Sequence, residues 1–279
     1  LREKSKLQGL KTKEYGGKMI YSKKKMEEIV GEITKLVVKY SEYPKVKKGV
    51  NIESADNIIW SKGWAEPFCT DYITEINDNT IIPRKLLKKE PKIKDYVSVH
   101  HMADNTPVYS KFYGDKDNVI YEQFFIKKEN LLIGALFHYS DKKLCRLTVE
   151  HFDEKGRPIE FDRFSLDGES KRKLDSIFYT YDNDRIIKAE SIFSLDIDRE
   201  LKLYDDELYV KIGLILDPSI ERMNPESVET FDFDYNDKME LDSYTRTAFS
   251  YGRVISHKWK IKKSIIKSYI ECGIGWLGK

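Results

Sequence analysis

The sequence predicts an α+β chain, mainly β, with an N-terminal helical region packed against a long, curved antiparallel β-meander. Three observations predict this. One segment near the start has helical periodicity. From about residue 107 the chain becomes a series of short β-rich runs separated by turn clusters. The composition, 13% aromatic with 18 Tyr and 13 Phe, supplies the large side chains that a sheet core needs.

The helix is expected over 22–42. Ser22 stands where an N-cap belongs, and Glu27 and Glu28 follow in the early turns. Met26, Ile29, Val30, Ile33, Leu36, Val37 and Tyr40 recur at i, i+3, i+4 spacing, which lines up one apolar face. Lys35 and Lys39 lie near the C-terminal end, where the helix dipole favours cations. Pro44 and Gly49 are expected to stop it. Residues 49–106 are less regular. The run IIWSKGWAEPFCTDYITEI reads as a short helix or a loop, RKLLKKEPKIK as a basic exposed stretch, and DYVSVHHM as the start of extended chain.

Beyond residue 107, runs such as PVYSKFY, VIYEQFFI, LLIGALFHY, PIEFDRFSL, LYVKIGLIL and VETFDFDY are separated by GDKDN, KKEN, DEKGR, DNDR and NDK. Connections this short join antiparallel neighbours, because a parallel crossover needs about a dozen residues or more. The expected organisation is therefore 1–21 as a basic tail or appended remnant and 22–106 as the helical or irregular N-terminal region. Residues 107–261 form the sheet, and 262–279 a C-terminal helix or tail. The first Met is Met19, so residues 1–18 read as a processed end, an appended remnant or part of something longer.

Charge is distributed in blocks. Residues 1–48 carry 14 Lys/Arg against 6 Asp/Glu, residues 150–245 carry 13 against 26, and residues 246–279 carry 8 against 1. An acidic middle between basic ends points to an electrostatic partner, or to pairing within the chain. Cys69, Cys145 and Cys272 are odd in number and far apart, which argues against a disulfide framework or a zinc finger and for reduced thiols in a cytoplasmic protein. No run of about 18 apolar residues suggests a membrane span. Basic ends without interleaved aromatics or a known motif give little reason to expect nucleic-acid binding.

Tyr179-Thr180-Tyr181-Asp182-Asn183-Asp184-Arg185 and Phe152-Asp153-Glu154-Lys155-Gly156-Arg157 resemble the tyrosine–aspartate (YD) repeats of RHS-type proteins, which read roughly Y-x-Y-D-x-x-G-R-L. The second stretch keeps the Gly and Arg. The first keeps both Tyr, the Asp and the Arg, and loses the Gly. Tyr235-Asn236-Asp237-Lys238 and Tyr139-Ser140-Asp141-Lys142 keep less. The resemblance implies hairpin architecture over roughly 107–260. It does not imply the closed RHS shell, which takes dozens of repeats. Genes of RHS-type toxins commonly travel with immunity genes, so the resemblance also implies an immunity role.

Residue chemistry is sparse. In a strand, His100 and His101 point to opposite faces and cannot share a metal without a bend. Cys69 near Asp71 has no context of a catalytic thiol. Asp232, Asp234 and Asn236 are spaced like an EF-hand loop, but Asp237 stands where Gly is needed and Ser243 where Glu is needed. Alternation explains these acids better. Phe231, Phe233 and Tyr235 oppose Asp232 and Asp234; Ile159 and Phe161 oppose Glu160 and Asp162; Met239 and Leu241 oppose Glu240 and Asp242.

The expected function is a non-enzymatic binding module whose acidic sheet face, Glu160, Asp162, Asp232, Asp234, Glu240 and Asp242, holds a basic protein. Its sharpest form is an immunity protein that neutralises a basic bacterial toxin such as a nuclease domain. No cofactor and no metal are expected. The alternatives are a hydrolase with its site near Trp60–Asp71 and His100–His101, or a structural repeat fragment of a larger protein.

Overall fold

The computed structural model describes residues 23–63, 70, 86–166, 173–196, 227–250 and 253–261. Helix α1 runs over Lys23–Tyr40. Ile29, Val30, Ile33, Val37 and Tyr40 are buried along one stripe, as the spacing requires. Pro44 does not act as the expected stop. The chain turns at Ser41–Glu42, and Pro44 sits in the first turn of a second helix, α2, Tyr43–Gly49. Its missing N–H costs nothing there, because the first amides of a helix have no intrahelical acceptor. The proposed Ser22 cap lies outside the described residues.

Among the described residues, thirteen strands follow in one sheet: β1 Asn57–Lys62, β2 Leu86–Leu87, β3 Val97–Ala103, β4 Thr106–Tyr113, β5 Val119–Lys128, β6 Leu131–His138 and β7 Leu144–Phe152, then β8 Pro158–Ser165, β9 Lys173–Asp182, β10 Arg185–Asp196, β11 Ser227–Tyr235, β12 Leu241–Ser250 and β13 Arg253–Lys260. From β3 to β13 every strand pairs antiparallel with its sequence neighbour, and β1 inserts between β3 and β2. The mainly β, antiparallel architecture expected from the short turns is what forms. The sheet starts earlier than expected: Ile58, Ile59 and Trp60 lie in strand β1, not in a short helix or loop. The run LYVKIGLIL and residues 262–279 lie outside the described residues.

The largest core cluster combines Ile29, Val30, Ile33 and Val37 of α1 and Val46 of α2 with Tyr109, Phe124, Ile133, Phe137, Leu147, Phe164 and Phe178 of the sheet. Tyr43 lays its ring edge-on against Phe124 and Phe137, with centroids 5.5 and 5.3 Å away. Its hydroxyl donates to Glu122 Oε2 at 2.7 Å. A second cluster, Phe161, Ile177, Tyr179, Ile186, Phe231, Phe233, Leu241 and Tyr244, serves the later strands.

The aromatic–acid stretches have a definite geometry. In the β7–β8 turn, Asp153 Oδ1 accepts the amides of Lys155 and Arg157, both at 2.9 Å, and Gly156 takes φ +75°. The β11–β12 turn repeats this with other residues. Asn236 Oδ1 accepts the amides of Lys238 and Glu240 at 2.9 Å, and Met239 takes the left-handed position at φ 64°. The tyrosines then tie one hairpin to the one before. Tyr181 donates its hydroxyl to the carbonyl of Pro158 at 2.6 Å, and Tyr235 to the carbonyl of Ile186 at 2.7 Å. Arg157 lies over the Tyr181 ring and Arg185 over the Tyr235 ring, at 4.5 and 5.8 Å. An Asx-closed turn and a tyrosine reaching back one hairpin make the motif a staple within the meander.

Candidate functional site

The register divides the six predicted acids into two groups. Glu160 and Asp162 are not on an open face. Their relative exposures are 8% and 2%, whereas Ile159, expected on the core side, is 39% exposed. The simple alternation fails on β8 because Phe164, two residues beyond Asp162 on the same face, belongs to the core beneath α1. The acids there are enclosed and need internal partners. Lys25 Nζ of α1 donates to Glu160 Oε2 at 2.6 Å, and Ser176 Oγ donates to Asp162 Oδ1 at 2.6 Å. His151 stands directly across from Glu160, with its Nε2 3.6 Å from Asp162 Oδ2. Burial and the Asp162 charge hold the Glu160 carboxyl above its usual range, against the pull of Lys25. Burial pushes the His151 imidazole down, but Asp162 and Glu160 outweigh it and the net shift is upward.

Asp232, Asp234, Glu240 and Asp242 are exposed, at the end of β11, in the turn and at the start of β12. Asp232 stands opposite Lys188 on β10, and Asp234 pairs with Lys258 Nζ of β13 at 2.8 Å. Partial burial, opposed by Lys188 and reinforced by Asp234 and Glu190, holds the Asp232 carboxyl above the usual range. The Lys258 hydrogen bond pulls Asp234 the other way. Residues 229–242 carry six Asp/Glu and one Lys, so the local charge is strongly negative. Within that stretch Glu229 is buried and accepts from Nε and Nη2 of Arg246. The other five acids, including Asp237 in the turn, are the exposed charge.

Among the described residues of the hydrolase alternative, Trp60, His100 and His101 do not converge. His100 is fully buried between two serines, Ser61 Oγ at 2.9 Å from Nε2 and Ser110 Oγ at 2.8 Å from Nδ1. A serine–histidine pair sealed this way has no approach for substrate. His101 points to the opposite face, against Tyr109, with its imidazole pushed down by burial and by Lys111. Trp60 packs with Val97 and Val99 in a separate small cluster. Cys69 and Asp71 lie outside the described residues.

Two polar centres carried no signal in the sequence. Glu122 on β5, its side chain 5% exposed, accepts from Tyr43, from Tyr109 and from Lys142 Nζ at 2.9 Å. Burial raises its pKa, but these hydrogen bonds dominate and hold it below the usual carboxylate value. The His151–Glu160–Asp162 group is the other. Pairing β7 with β8 in register would have revealed it, but a single chain does not announce that register.

No protein-family model matches the chain, and no curated protein matches it. Among solved structures, a porin-like protein from Bacteroides vulgatus ATCC 8482 is similar at 13% identity, over 63% of this chain and 81% of that one, with a TM-score of 0.31. A likeness of that size transfers neither fold nor function. Among the described residues, no helix is long and apolar enough to cross a membrane.

Proposed function

We propose that this chain is a non-enzymatic binding module that takes a basic protein through the acidic end of its sheet. The observation carrying this reading is the exposed group of Asp232, Asp234, Glu240 and Asp242 around one hairpin. Asp232 is held above the usual range partly by like charges, so the fold tolerates repulsion there. A cation arriving from outside relieves that repulsion, and a concentrated negative field speeds its approach. Glu160 and Asp162, enclosed beside α1, are removed from the contact set. The sharpest form of the proposal is a cytoplasmic immunity protein that occupies the basic cleft of a toxin, its carboxylates standing where nucleic-acid phosphates would bind.

The test uses the captured basic partner in stopped-flow association. The wild-type rate falls at least tenfold from about 50 mM to about 0.5 M salt, because screening shortens from over 10 Å to a few ångströms. Reversal of Asp232 and Glu240 to Lys slows association at low salt and flattens that dependence. An unchanged rate and slope in the reversed variant would overturn the reading.

A further inference from the structure

We propose that His151, Glu160 and Asp162 form a binding site for a divalent transition metal, with zinc as the reference ion. The inference is independent of the acidic-hairpin reading, since it uses the enclosed acids and not the exposed ones.

Strand pairing builds the site. His151 of β7 stands directly opposite Glu160 of β8, and Asp162 lies two residues along β8, so all three project from one face. One donor atom from each lies within 4.8 Å of the other two. Two donors on one tetrahedral zinc ion stand about 3.3–3.4 Å apart, so binding draws the three side chains together by up to about 1.5 Å.

The surroundings suit an ion better than they suit the side chains alone. His151 Nε2 is shielded from solvent and has no hydrogen-bond partner. It faces Asp162 Oδ2 at 3.6 Å, an ion-pair contact too long for a hydrogen bond. A metal between them satisfies both. Asp162 is already oriented for this, because its other oxygen accepts the Ser176 hydroxyl from β9. An outer hydrogen bond that fixes a ligating carboxylate is a usual part of metal sites.

Charge points the same way. Two buried carboxylates adjoin, and Glu32 of α1 adds a further negative field at His151. Lys25 answers Glu160 with a single charge, and its side chain is 32% exposed, so it can swing toward water when a dication arrives. One imidazole nitrogen with two carboxylate oxygens is a donor set for zinc, manganese or ferrous iron. Three protein ligands leave a position for water.

The experiment is calorimetric titration of the full chain with zinc chloride after chelator treatment, with metal content measured on the dialysed product. One zinc per chain is expected. His151→Gln and Asp162→Asn weaken binding about 100-fold or more, while His257→Gln on exposed β13 leaves it unchanged. Lys25→Met, which removes the competing ammonium, tightens binding several-fold and keeps the test valid if either ligand variant fails to fold. Cobalt substitution adds a visible spectrum that changes with His151→Gln. Absence of stoichiometric zinc, or binding that survives His151→Gln and is indifferent to Lys25→Met, would overturn the proposal and leave the cluster as a Lys25-neutralised ionic group.

Discussion

Replacing Glu122 with Gln tests the polar hinge between α2 and the sheet. The carboxylate is 5% exposed and receives three donors: the hydroxyls of Tyr43 and Tyr109 and the Lys142 ammonium. Burial and Glu122 itself push both tyrosine hydroxyls up, so the charge stays on the carboxylate and the tyrosines remain donors. Lys142 is 35% exposed and can return to water at little cost. The loss therefore falls on two charge-assisted hydrogen bonds, each worth about 1.5–3 kcal/mol. An amide retains one acceptor oxygen but aims an N–H at the other donor. The expected destabilisation is about 2–4 kcal/mol at pH 7, read from urea denaturation with an unchanged m-value. The pH dependence is fixed by the direction of the shift. Because the folded-state value is depressed below the usual 4.5, the contribution is present above that value and is lost as pH falls through the folded one. The gap between wild type and Glu122→Gln should narrow on acidification below about pH 4.5. A loss under about 0.5 kcal/mol at pH 7, or a gap that stays constant into acid, would refute the assignment of this carboxylate as the hinge.

Two further predictions concern the hairpin staples. Met239 occupies the left-handed position that Gly156 fills in the equivalent turn, so Met239→Gly should stabilise the chain by about 0.5–1 kcal/mol in thermal or urea melts. Tyr235→Phe removes the hydroxyl that reaches the Ile186 carbonyl and should cost about 0.5–1.5 kcal/mol. Burial has pushed that hydroxyl's pKa up to about 12, so the bond should persist to alkaline pH, and the difference between the two proteins should be flat from pH 7 to 9.

The strands β4 to β10 and β11 to β13 were legible because within each series the runs are joined by short polar clusters, and such turns admit antiparallel pairing almost alone. Strand β1 was not, because NIIWSK has only three apolar residues in a row, which fit a helix turn equally well. Pro44 is ambiguous in the sequence, since a proline marks both the end of one helix and the first turn of the next. The acidic rows show the deeper limit. Alternation assigns residues to two faces but not which face is covered. On β11 the acids face water, as expected. On β8 the same pattern places Glu160 and Asp162 under α1, where Lys25, 135 positions away, meets one of them. That partner is a fact of tertiary packing, and no local spacing encodes it.

The central claim is that the exposed acidic hairpin is a docking surface for a cationic protein. The most direct measurement is a comparative capture from source lysate at low salt. Wild type is set beside a variant with Asp232, Asp234, Glu240 and Asp242 reversed to Lys, after circular dichroism shows that both are folded. The expected result is one basic protein retained by wild type, absent from the variant, and released at about 0.5 M salt. A protein retained equally by both, or nothing retained by wild type that the variant lacks, would contradict it.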